Sequence, residues 1–156
     1  MPERRKSDRM PRFLGLAPRS ATTSRVGASN RRKDTSPEIL LRKLLSSAGI
    51  RYRLHPQNVP GHPDLVIRRS RVVIFCDGDF WHGRHWARRR IKLARGWNAD
   101  YWIAKIERNR RRDRLVGRRL RLLGWRVIRV WESEIQRNPK AVADRILDAI
   151  RRAPTA

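Results

Sequence analysis

The chain has 156 residues, with 39 Lys and Arg against 14 Asp and Glu, giving a formal charge of +25 and a pI near 11.9. That length suits one hydrophobic core, and the single cysteine, Cys76, excludes disulfides within the chain and cysteine-rich zinc sites. So large a charge excess calls for a polyanion, and basic residues spread along the whole chain favour nucleic acid over a membrane surface.

Residues 1–33, rich in Arg, Ser, Pro and Gly with no sustained period, predict a disordered basic arm, either a tail along phosphates or the product of an early start site. An ordered domain is expected over residues 34–152. It opens at "DTSPE", where Thr35 or Ser36 can cap a helix, Pro37 fits the first turn and Glu38 has capping-box spacing. Leu41, Leu44, Leu45 and Ala48 then recur at helical spacing up to Gly49. Ile50, Tyr52 and Leu54 alternate with Arg as in a half-buried strand, and "HPQNVPGHP" reads as a loop. "DLVI" and "RVVIF" are short apolar strands around a turn at "RRS". After a basic loop a long helix is expected from about Asn98 to Leu123, with Gly117 as a place to bend. "WRVIRVW" reads as another strand, and Asn138-Pro139 starts a last helix that turns Val142, Ile146 and Ile150 inward. The order helix, three strands, helix, strand, helix predicts an α/β domain with a mixed central sheet flanked by helices. No segment has the composition of a signal sequence or the length of a membrane span, which predicts a reducing, cytoplasmic setting.

Strand ends hold polar groups rigidly while exposing them. Asp64 opens one strand and Asp77 closes the next, so a hairpin around "RRS" puts Asp64 beside Cys76 and Asp77 at its open end. Carboxylates there, in so cationic a chain, suit a magnesium ion that keeps its own waters; a plain ion pair from Asp64 to an Arg is the alternative. At about 100° per residue, Trp102, Ile106, Asn109, Asp113, Val116 and Leu120 share one stripe of the long helix. A carboxylate on that inward face needs a partner: either a neighbouring Arg, or His82, whose tautomer it would fix for acid–base work. Glu38 is left between helix cap and support for a metal. A zinc held by His82, His85, Asp77 and Asp79 is a weaker alternative. Phe80, Trp81 and Trp102 either pack in the core or wedge between base pairs of a duplex.

"NRRKDTSPE", "PGHPDLVI", "VVIFCDGDFWHG", "DYWIAKIERNRRRDR" and "LGWRVIRVWE" occur in the order seen in the very short patch repair endonucleases, a branch of the PD-(D/E)xK nuclease fold, and the chain resembles that family across roughly Asn30 to Glu132. The resemblance implies a restriction-endonuclease-like fold and a magnesium-dependent endonuclease that nicks one strand of double-stranded DNA at T:G mismatches left by 5-methylcytosine deamination. It implies action as a monomer in the bacterial nucleoid, with mismatch-repair proteins as partners. By motif position it makes Asp64 a metal-binding catalytic aspartate, Cys76 the source of a main-chain carbonyl ligand, His82 the catalytic histidine, Asp113 its acidic partner and Glu38 a supporting glutamate. Phe80, Trp81 and Trp102 match the intercalating aromatics. Two departures stand out. The family's structural zinc ligands are replaced by Asp79, Arg84, Trp86 and Ser133, so no structural zinc is expected. Asp77 replaces a histidine, which adds a metal ligand or alters substrate preference. A restriction or defence nuclease acting on paired or modified DNA, and a non-catalytic DNA-binding module, are the competing readings.

Overall fold

A computed structural model of the chain describes residues 34–152, so the predicted N-terminal arm lies outside the described residues. The apolar runs on either side of "RRS" form β2 (Leu65–Ile67) and β3 (Val72–Asp77), paired antiparallel with Leu65 opposite Ile74 and Ile67 opposite Val72. β4 (Arg126–Trp131) lies parallel to β3, and β1 (Arg53–Leu54) pairs antiparallel to β2, giving a mixed sheet in the order β1-β2-β3-β4. The parallel step needs a crossover, and the long segment between β3 and β4 supplies it.

Period-two alternation along β3 divides its side chains between two cores. Val72 and Ile74 join Leu65, Ile67 and Val130 beneath α1 (Ser36–Ser47), α4 (Glu132–Arg137) and α5 (Pro139–Arg151), where Leu41, Leu45, Ile135 and Ile146 are buried. Val73 and Phe75 face the other way, with Val66 and Val127, onto Leu120 of α3 (Ala99–Leu122). The sheet is therefore covered on both faces. The Asn138 side chain caps α5 by accepting from the Ala141 amide at 3.1 Å.

Three expectations change. The alternating run from Ile50 to Leu54 yields only the two-residue β1, because Ile50 and Tyr52 pack on the core outside the ladder while Leu54 stays exposed. The basic loop contains α2 (Trp86–Ala94), a short helix that buries no residue: its apolar positions are interspersed with Arg and Lys, and Ile91 stays largely exposed. Glu38 does not close a capping box: Thr35 caps α1 without a side-chain bond, and the Glu38 carboxylate is buried against Arg42 one turn on.

Candidate active site

β3 delivers the site by ending where its two cores diverge. The Asp64 amide donates to the Ile74 carbonyl at 3.0 Å, and its Oδ2 accepts the Cys76 amide at 2.7 Å, so Asp64 is pinned across the strand from Cys76. On one side lie the His55 imidazole, with Nδ1 3.7 Å from Asp64 Oδ1 and Nε2 3.3 Å from Glu38 Oε1, and the Arg42 guanidinium. Burial, reinforced by the charges of Glu38 and Asp77 and opposed by the Cys76 amide, pushes the Asp64 carboxyl up to about 6. Burial also raises the Cys76 thiol, so its side chain remains a neutral SH.

The other half of the site lies on the α3 face. His82 Nδ1 is 2.6 Å from Asp113 Oδ2. Burial pushes the Asp113 carboxyl upward, but the His82 hydrogen bond and the charges of His82, Arg129 and Arg112 outweigh it, and the net shift is downward. An ionised carboxylate can only accept, so Nδ1 carries the proton and Nε2 is left for chemistry. The predicted stripe holds together: Ile106 and Leu120 are fully buried, Asn109 donates to the Trp81 carbonyl at 3.0 Å, and Asp113 meets His82.

Asp77, expected as a further metal ligand, pairs with a guanidinium in this structure. As the neighbour of Cys76 on an extended strand it points to the opposite face, where Arg129 donates Nε to Oδ2 at 2.6 Å and one terminal nitrogen to Oδ1 at 2.9 Å. That same nitrogen lies 3.2 Å from Asp113 Oδ1. Both Asp77 oxygens are thus committed to a guanidinium, and Arg129 joins Asp77 to Asp113. Arg129 was not singled out from the sequence, yet the signal was there: it alternates with Val127 and Trp131 on the apolar side of a strand. Asp77→Ala, which leaves Arg129 with Asp113 alone, is expected to cost about 3 kcal/mol in denaturant unfolding of the metal-free protein, the low end for breaking a buried pair. A metal-ligand role instead predicts unchanged metal-free stability with weakened magnesium binding.

Asp34, Glu38 and His55 also offer closely grouped ligand atoms. Arg42 fills that space, bonding Asp34 at 2.6 Å, Glu38, and His55 Nε2 at 3.1 Å. His55 and Arg42 were likewise not singled out; a loop histidine and a helix-surface arginine carry no local mark of their pairing.

Phe80, Trp81 and Trp102 form one half-buried cluster beside His82, with centroid separations of 5.1, 5.5 and 5.8 Å, and Lys105 Nζ sits 5.1 Å from the Trp81 ring and 5.5 Å from that of Trp102.

A family model described as DNA mismatch endonuclease Vsr matches residues 18–88. Over 123 residues the chain is 41% identical to the type II nicking enzyme V.NmeDIP of Neisseria meningitidis serogroup C, covering 79% of this chain and 82% of that protein. The chain belongs to the Vsr family. It is also 41% identical over 123 residues to the type II nicking enzyme V.HpaIIP of Haemophilus parainfluenzae (79% of this chain, 86% of that one), and 34% identical over 130 residues to the DNA mismatch endonuclease Vsr of Escherichia coli strain K12 (83% and 81%). As a Vsr-family protein it is a DNA endonuclease with a restriction-endonuclease-like α/β fold, and DNA is its substrate. Among the described residues no helix is long and apolar enough to cross a membrane.

Nucleases of this kind use a divalent metal, and the residues around Asp64 fit one: a mostly buried carboxylate whose ionisation burial disfavours gains most from a neighbouring cation, and a carboxylate with a main-chain carbonyl is a hard oxygen donor set. The positions of the family's structural zinc do not fit that ion. Asp79, Arg84, Trp86 and Ser133 contain neither thiolate nor imidazole, and the Arg84 guanidinium lies between Asp79 and Ser133.

Proposed function

We propose that this Vsr-family endonuclease nicks one strand of double-stranded DNA at T:G mismatches arising from 5-methylcytosine deamination, using Mg2+ and acting as a monomer upstream of mismatch-repair proteins. One observation carries the reading: Asp64, the His82–Asp113 pair and the Phe80–Trp81–Trp102 cluster converge at one end of β3.

Asp64 and the Cys76 carbonyl would hold the magnesium, with Glu38 supporting Asp64 through His55. When bound, the ion supplies positive charge to the phosphate and lowers the pKa of a bound water. Asp113 holds His82 with its proton on Nδ1, so that Nε2 can take a proton from the attacking water or return one to the leaving oxygen. Arg129 in turn holds Asp113 from behind. Phe80, Trp81 and Trp102, half-buried at this corner, are placed to wedge into the duplex; opening a base step costs a few kcal/mol and less at a mismatch, which supports selectivity for one. The charge of +25 draws the duplex in by releasing its counterions.

A second reading is favoured by the type II nicking enzymes among the relatives: a nuclease of restriction or defence type that cuts paired or modified DNA. Nicking of end-labelled duplexes with T:G, T:A, C:G and 5-methylcytosine:G at the same position separates them. The mismatch reading expects T:G to be cut at least about tenfold faster, the equivalent of about 1.4 kcal/mol in opening cost. Equal rates on matched and mismatched duplexes support the second reading, and salt-sensitive binding with no metal-dependent break would leave only a binding module.

A further inference from the structure

The corner that carries Phe80, Trp81 and His82 is bracketed by Asp79 and Arg84. Main-chain bonds from the Arg84 amide to the Asp79 carbonyl at 2.9 Å, from Gly83 to Phe80 at 3.2 Å and from His82 to Gly78 at 3.1 Å close it into a tight loop. Gly83 has φ +65, and a Cβ there would lie 2.8 Å from Arg110 Cδ and 2.9 Å from Ile106 Cγ2, so the loop is pressed onto α3. Its other flank is tied to α4. Asp79 accepts the Ser133 amide at 3.0 Å through Oδ2 and the Ser133 hydroxyl at 2.6 Å through Oδ1, satisfying a first-turn donor of α4 from across the molecule. Arg84 donates to Asp79 at 3.0 Å and to the Ser133 hydroxyl, lies 3.5 Å from Glu134, and stacks over Trp131 at 5.8 Å. Both partners are well shielded, with side chains 14% and 24% exposed, so solvent screens the pair only in part.

We propose that Asp79, Arg84 and Ser133 form a metal-free clamp that replaces the zinc its relatives' fold implies, positioning the loop that presents His82 and the aromatic wedge. A guanidinium suits this role because its planar fork reaches a carboxylate, a hydroxyl and a second carboxylate at once. The three residues are positioning residues, since none touches His82 or the Asp64 cluster through its own side chain among the contacts described. The effect on cleavage rests on the function proposed above; the clamp itself does not.

The test takes the purified full chain. Elemental analysis after dialysis is expected to find zinc far below one equivalent per chain, and 1,10-phenanthroline is expected to leave the melting temperature unchanged. Stoichiometric zinc whose removal lowers that temperature overturns the proposal. Arg84→Met, and Ser133→Ala as the milder variant in case the first fails to fold, are then followed by hydrogen exchange. Amides of residues 79–84 are expected to exchange at least about tenfold faster, as for loss of one charge-assisted hydrogen bond, while those of β2 and β3 keep their protection. With saturating Mg2+ and DNA, kcat is expected to fall about ten- to a hundredfold at nearly constant KM, as for other groups that orient a reacting residue. Unchanged exchange in the loop of a folded variant overturns the clamp. Faster exchange with unchanged kcat overturns its positioning role, and detecting the clamp in a protein that cuts no duplex would fault the functional reading instead.

Discussion

Asp64→Asn is expected to abolish nicking and at the same time to stabilise the metal-free protein. The two effects have one cause. Burial holds the Asp64 carboxyl near 6, against 3.8 for the free group, so an ionised Asp64 is a strained group until a cation joins it. A raised folded-state pKa means that the carboxyl's favourable contribution is fully present below about pH 4 and is lost as pH climbs through about 6. At pH 7.5 the metal-free protein therefore carries a penalty on the order of 2–3 kcal/mol. Asn keeps an acceptor for the Cys76 amide and never ionises, so the penalty disappears and the pH dependence of stability flattens. Adding Mg2+ should stabilise the parent protein and leave the variant unmoved. Cleavage should drop by about 10³-fold or more, since an active-site cation is worth several kcal/mol in the transition state. The measurements are denaturant unfolding between pH 4 and 8 with and without Mg2+, and a nicking assay. In the parent the acid limb of the rate should sit near 6 and move lower as Mg2+ is raised, because cation and proton compete for one carboxylate. Undiminished cleavage by the variant would remove Asp64 from the site.

His82→Ala is expected to lower kcat by about 10²- to 10⁴-fold, the usual contribution of a positioned acid–base group, with DNA binding and Mg2+ affinity nearly unchanged. Asp113→Asn should fall in the same parameter by less, because the imidazole remains but its tautomer is no longer imposed. Combining them should cost no more than His82→Ala alone, since a pair that acts as a unit is lost only once. Additive losses would mean that Asp113 acts elsewhere, for instance only as a counter-ion for Arg129. Single-turnover kinetics at saturating DNA isolates the step and separates this outcome from weakened binding.

Much of the fold could be read along the chain because its determinants are local. The apolar runs of β2 and β3 flank a turn of four residues, so their antiparallel pairing and the juxtaposition of Asp64 with Cys76 follow by counting. The stripe on α3 placed Asp113 inward by its angle alone, and a histidine two residues past the Phe80 position was the natural candidate to meet it. What failed to show were α2, a short and strongly basic helix that buries none of its residues, and pairings between residues far apart in sequence. Glu38 has the spacing of a cap and is drawn instead to Arg42 and His55, because a buried carboxylate gains more from a cation than from an exposed helix end.

Composition and short-range pattern, by themselves, determined a basic α/β domain with Asp64 beside Cys76 at a strand end and Asp113 on the inward face of a long helix, since those features depend on periodicity and turn length; that Asp113 meets His82, 31 positions away, was decided by the tertiary structure. Only the tertiary structure decided that Asp77 pairs with Arg129 across 52 positions of chain, and that Asp79, Arg84 and Ser133 close around one another at the places where the family resemblance led one to look for zinc ligands. Whether a carboxylate faces a metal, a guanidinium or a helix end is settled by which groups share its low-dielectric surroundings, and that depends on how the sheet and helices are packed rather than on neighbours in sequence.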